Sequence, residues 1–196
     1  QGKDLPFDIQ SVDDGTFYEI HEQCRKFTMA DVFLNYSLYQ AVRNTVSADI
    51  DGDIVECGVW RGGSAMICAL TLLHMGVSDR KIYMYDSYDF TWPGYSEHDA
   101  QIYGRDNEKT GAFVKRVRDT AELAHSGKGE PLLSLEETQK NVISTGYPEK
   151  NLVFVQGYVE KTIPEIAPEQ IALLRLDTDF YDSTLHELEH LYPRLS

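Results

Sequence analysis

The sequence has 196 residues, 42% of them apolar and 11% aromatic, enough to build one packed globular domain. Its 32 Asp and Glu against 18 Lys and Arg leave a formal charge of −14, which repels nucleic-acid phosphates and anionic membrane surfaces over most of the protein. Those two partner classes are excluded, while a charge of this size serves solubility and still admits a cationic ligand.

The opening stretch QGKDLPFDIQSVDDG is polar and acidic, without the basic and apolar regions of a secretory leader. Cys24, Cys57 and Cys68 are odd in number and widely spaced, a usage that suggests a reduced, cytoplasmic protein. Residues 28–46, TMADVFLNYSLYQAVRNTV, carry apolar side chains at helical spacing, with Thr28 and Asp31 placed as a capping box. GDIVECG then reads as a short buried strand, and the run from Ser64 to Met75 as the helix that crosses back, with Gly76 as its stop. The apolar run from Ala65 to Val77 is too short to span a bilayer.

RKIYMYDS forms a second strand closing on Asp86, and NLVFVQG and IALLRLDTD a third and a fourth. Helices alternating with such strands imply a doubly wound, mostly parallel α/β sheet. The 196 residues divide into a helical segment (1–50), a strand–helix–strand (51–87), a long connection (88–150) and the last two strands with a helix (151–196). In the connection, SLEETQKNVISTG has the Ser134 and Glu137 capping box and the Gly146 stop of a helix. The preceding TWPGYSEHDAQIYGRDNEKTG is aperiodic and aromatic, either a substrate cover or a plain surface excursion.

Chemistry concentrates at the strand ends. In VECGVWRGGS the glycines at 58, 62 and 63 fit neither G-x-G-x-x-G nor a phosphate-binding P-loop. A carboxylate at Glu56 followed by close-approach glycines suits S-adenosylmethionine, which is cationic and carries no phosphate. A tight turn without ligand is the competing account. Asp86 stands where an acid accepts ribose hydroxyls in doubly wound nucleotide sites. In LRLDTDFYDST, an extended backbone projects Asp177 and Asp179 together, with Thr178 facing away. Two carboxylates so close invite a cation such as magnesium. The HELEH of residues 186–190 matches a zinc-hydrolase pattern, but no third ligand follows it, and Leu185, Leu188 and Leu191 are expected to bury the opposite face of an ordinary helix.

GDIVECGVWRGGSAM, YMYDSYDF, STGYPEKNLVFVQGYVEKTIPE and IALLRLDTDFYDSTLHELEHLYPRL, in that order, resemble the macrocin O-methyltransferase family from Thr28 onward. The resemblance implies a Rossmann-like class I S-adenosylmethionine-dependent methyltransferase that methylates a sugar hydroxyl of a natural product with magnesium. It further implies that Glu56, Gly58, Gly62 and Ser64 hold the methionine end of the cofactor, that Asp86 holds the ribose, and that Gly157 and Val159 lie beside the adenine. Asp177 becomes a magnesium ligand and Asp179 the general base. SYDFTWPG departs from the family's usual stretch after the second strand, and Phe180 replaces its usual Trp. The family's following strand, whose aspartate pair completes the metal site, is not in this sequence. The resemblance therefore implies a C-terminally incomplete fold, with an exposed sheet edge to be covered by self-association or by a different arrangement of the existing strands, and a non-catalytic cofactor-binding or interaction module as the alternative to an enzyme.

Overall fold

A computed structural model describes residues 14–89, 98–99 and 133–196. The described elements are helix α1 (Gly15–Cys24), helix α2 (Val32–Ser47), strand β1 (Asp53–Cys57), helix α3 (Gly63–His74), strand β2 (Ile82–Asp86), helix α4 (Leu135–Ile143), strand β3 (Leu152–Gln156), the short helix α5 (Val159–Thr162), strand β4 (Ile171–Leu176) and helix α6 (Tyr181–Leu191). The strands form one sheet in the order β3-β2-β1-β4, with every pair parallel. The doubly wound α/β class expected from the alternation of elements is what forms.

Strand alternation divides the core in two. Ile54, Ile82, Met84 and Leu152 face α1, α2 and α3 in one cluster, whereas Val55, Cys57, Tyr83, Tyr85 and Val155 face α5 and α6 in the other, with Val159, Ile163 and Leu191. At about 25 cal/mol per Å² of apolar surface, these two layers supply the main driving force for folding. Because β2 and β3 lie on one side of β1 and β4 on the other, the connections reverse direction between β1 and β4, and that reversal opens a crevice at the carboxyl ends of the strands. The β4 edge is not bare at its start: Leu195 bridges Ile171 in parallel, and the Ser196 N–H donates to the Ile171 carbonyl at 3.0 Å.

Two helix starts differ from expectation. Helix α1 was not foreseen; Asp14 caps it by accepting the Phe17 N–H at 3.0 Å, and Phe17, Ile20 and Cys24 bury one face. Helix α2 begins at Val32 because Asp31 alone caps it, accepting the Leu34 N–H at 2.9 Å, while Thr28 Oγ1 accepts from Ala30 in the preceding loop. No helix among the described residues is long and apolar enough to cross a membrane.

Candidate functional site

Parallel strands bring their carboxyl ends to one edge, so Glu56 to Gly58, Asp86, Gly157 and Asp177 to Asp179 converge although they span much of the chain. Register then assigns their partners. Glu56 stands opposite Arg175, and Arg175 Nη1 donates to Glu56 Oε1 at 2.9 Å while Nη2 donates to Asp177 Oδ2 at 2.7 Å. The cation beside Glu56 is thus internal. Glu56 Oε2 remains buried without a hydrogen-bond partner. Burial raises the Glu56 pKa to about 7, against the opposing pull of Arg175 and of the nearby Ser64 hydroxyl. Arg175 escaped the sequence reasoning, although a lone cation inside the apolar IALLRL run was its visible signal.

The glycines are closely packed by the protein itself. Gly58 has φ +84°, and a Cβ there would fall 2.1 Å from the Asp177 carbonyl oxygen; at Gly62, φ +89°, it would fall 2.7 Å from Val142 Cγ2 of α4. The turn they shape is clamped from both sides. Asp86 accepts the Val59 and Trp60 N–H groups at 2.7 and 3.0 Å and the Tyr88 N–H at 2.9 Å. On the other side, Thr138 Oγ1 donates to the Trp60 carbonyl, Asn141 Nδ2 donates to the Arg61 carbonyl, and Glu137 pairs with Arg61. Helix α4, capped by Ser134 as its sequence indicates, therefore holds the turn in place. Ser64 lies buried in the first turn of α3. The Gly157 N–H donates to the Asp86 carbonyl, but the Val159 side chain is buried in the core against α6 rather than exposed at the edge.

Beyond β4, alternation continues: residues 173, 175 and 177 belong to the α3 face, and residues 174, 176 and 178 to the α6 face. Asp177 and Asp179 are exposed, and Thr178 turns inward with a buried hydroxyl, as the spacing predicts. Asp179 leaves the extended conformation, at φ +67°. Its pKa is raised by partial desolvation within the cleft and by the Asp177 charge, with Arg175 opposing. It lines a shallow cleft of about 410 Å³ with Phe180, Tyr181, Leu185 and Leu188. Asp99, from the long connection, reaches this cleft and accepts the Tyr181 N–H at 2.8 Å; the SYDFTWPG stretch beyond Asp89 lies outside the described residues.

HELEH is a helix-packing segment, but not with the expected rotation. His186 Nε2 meets the Ile163 carbonyl at 2.9 Å, and His190 Nδ1 meets the His186 carbonyl at 2.8 Å. Ser183, Glu187 and Leu191 face inward, tethered by the Ser183 hydroxyl donating to Glu160 at 2.6 Å. Leu185 and Leu188, expected to be buried, are 42% and 43% exposed. Among the described residues no three His, Cys, Asp or Glu side chains stand together to hold a metal. With Asp177 already paired to Arg175, these residues do not fit a magnesium ion.

The profile of the family described as Macrocin-O-methyltransferase (TylF) matches residues 26–196. The 8-demethyl-8-(2,3-dimethoxy-alpha-L-rhamnosyl)-tetracenomycin-C 4'-O-methyltransferase of Streptomyces olivaceus is 30% identical over 160 residues, covering 82% of this chain and 55% of that protein. The mycinamicin III 3''-O-methyltransferase of Micromonospora griseorubida is 28% identical, covering 82% of this chain and 57% of its own length. The solved structure of the O-methyltransferase NovP superposes with a TM-score of 0.65 at 26% identity, over 87% of this chain and 63% of that one. The chain thus spans little more than half the length of the curated relatives it matches.

Proposed function

Since this chain belongs to the macrocin O-methyltransferase family, we propose that it binds S-adenosylmethionine at the carboxyl edge of its sheet and takes part in methylating a sugar hydroxyl, as the names of its relatives indicate for them. The observation that carries this is the orphaned, buried Oε2 of Glu56 beside the clamped β1–α3 turn. A carboxylate oxygen removed from water and left unpaired costs free energy, on the order of 1–3 kcal/mol, until a donor or a cation meets it. The ammonium of a methionine moiety meets that need, and the residues fit the cofactor to this extent. Glu56 and Ser64 hold its methionine end, and Asp86 and Gly157 border its ribose and adenine. Val159 supports that wall from within the core rather than touching the ligand.

The cofactor supplies an electrophilic methyl group on a positively charged sulfur. The acceptor hydroxyl is a poor nucleophile until its proton is taken, and Asp179 is the group for that task. It is exposed to the cleft, and its raised pKa strengthens it as a proton acceptor. General-base help of this kind is worth about 10²–10⁴-fold. The apolar wall of Phe180, Tyr181, Leu185 and Leu188 receives the rest of the acceptor. No step is assigned to magnesium, because the donor set around Asp177 does not accommodate it.

The test is mass spectrometry of a panel of deoxysugar glycosides incubated with protein and methyl donor. Gain of one methyl group, lost in Asp179→Asn with cofactor binding retained, is the expected result. Equal methylation by Asp179→Asn removes Asp179 from the reaction.

A further inference from the structure

Glu187 is the least expected residue in the fold: its side chain is 0% exposed, and neither carboxylate oxygen has a hydrogen-bond partner. Burying such a group without compensation is costly. Helix α6 packs against β4, and just beyond that strand Thr178 turns inward with its own Oγ1 buried and likewise unpartnered. The two are near enough for the Thr178 hydroxyl to favour the Glu187 carboxylate over its acid. Among the described residues, Cys57, buried on the same face, and Glu160 on α5 are further ionisable groups near Glu187. Two buried polar groups without partners therefore lie on the α6 side of the sheet, behind the turn that carries Asp177 and Asp179.

We propose that Glu187 is a positioning residue, which accepts the Thr178 hydroxyl proton in a hydrogen bond and so fixes the turn that presents Asp179 to the cleft. Fixing is needed at this turn. Alternation alone would carry an extended backbone onward, whereas Asp179 sits at φ +67°, a conformation a non-glycine residue keeps only when its surroundings impose it. The neighbour on one side is held by the Asp177 N–H donating to the Cys57 carbonyl at 2.8 Å, and the start of α6 by the Thr184 N–H donating to the Phe180 carbonyl at 2.9 Å. Thr178 lies between these two ties, and Glu187 is the inward group available to it. The functional meaning of the anchor rests on Asp179 as the proton acceptor proposed above; the anchor itself does not.

Amide hydrogen exchange of the ligand-free chain decides the matter, because it reads the turn whether or not methylation is found. In Glu187→Leu and in Thr178→Val the Asp177 amide should exchange faster by on the order of tenfold, with β2 amides unchanged. The double variant should be no faster than either single one. Glu187→Gln and Thr178→Ser, which keep an acceptor and a donor, should return to within about twofold of the parent. Where turnover is measurable, Glu187→Leu should lower kcat and leave KM for the methyl donor unchanged. Unchanged Asp177 exchange, additive effects in the double variant, a Gln variant as fast as the Leu variant, or equal acceleration in β2 would each overturn the proposal.

Discussion

Gly58 shows how little freedom a single residue has at this edge. Its φ of +84° and the 2.1 Å separation between a would-be Cβ and the Asp177 carbonyl oxygen mean that Gly58→Ala must displace the β4 end that leads to Asp179. Urea denaturation should register a loss of at least about 2 kcal/mol. Glu56 and Glu187 make the stability of the fold depend on pH. Burial raises each from its usual 4.5 to about 7, so the folded protein binds their protons more tightly than the unfolded chain does. The stability this brings is complete below about pH 4.5 and is lost as pH rises through about 7. The urea midpoint should therefore fall between pH 5 and pH 7.5. Glu187→Gln, which has no proton to lose, should be more stable than the parent at pH 7.5 by on the order of 1–3 kcal/mol and little different at pH 5. The sequence displayed the acids and glycines because charge and missing side chains stand out at the ends of apolar strands. It did not display their partners, because the pairing of Glu56 with Arg175 is a matter of strand register.

Among the elements, α6 separates pattern from packing. Its leucines suggest one apolar face, yet the helix turns Ser183, Glu187 and Leu191 inward, held by the contacts of Ser183 with Glu160 and of His186 with the Ile163 carbonyl. Polar tethers to α5 outweigh the leucine stripe in setting its rotation. Leu191→Ala should cost about 2–5 kcal/mol, while Leu185→Lys and Leu188→Lys should each stay within about 0.5 kcal/mol of the parent in denaturant titration. Helix α4 illustrates the opposite case. Its Ser134 cap and its end were legible from spacing, but its function was not, because the grip of Thr138 and Asn141 on the β1–α3 turn joins segments far apart in the chain. Helix α1 escaped notice because its buried Phe17, Ile20 and Cys24 are interspersed with polar residues in a short segment.

For the whole molecule, four parallel strands reverse their connections between β1 and β4, and that topology gathers Glu56, Asp86, Gly157 and Asp179 without any of them being near in sequence. The alternation of strands and helices was sufficient to anticipate this gathering, since parallel neighbours require crossovers and their carboxyl ends must share an edge. What alternation could not anticipate was the internal neutralisation: Arg175 pairs with both Glu56, expected to meet the cofactor, and Asp177, expected to ligate magnesium. The proposed methyl transfer depends first on the cofactor seat. Isothermal titration of the chain with S-adenosylhomocysteine tests it most directly, with Glu56→Gln as the comparison. Saturable binding at one ligand per chain, weakened by on the order of tenfold or more in Glu56→Gln, is the predicted result. A folded chain that takes up no ligand at millimolar concentration, or that binds equally well without the Glu56 carboxylate, would contradict it.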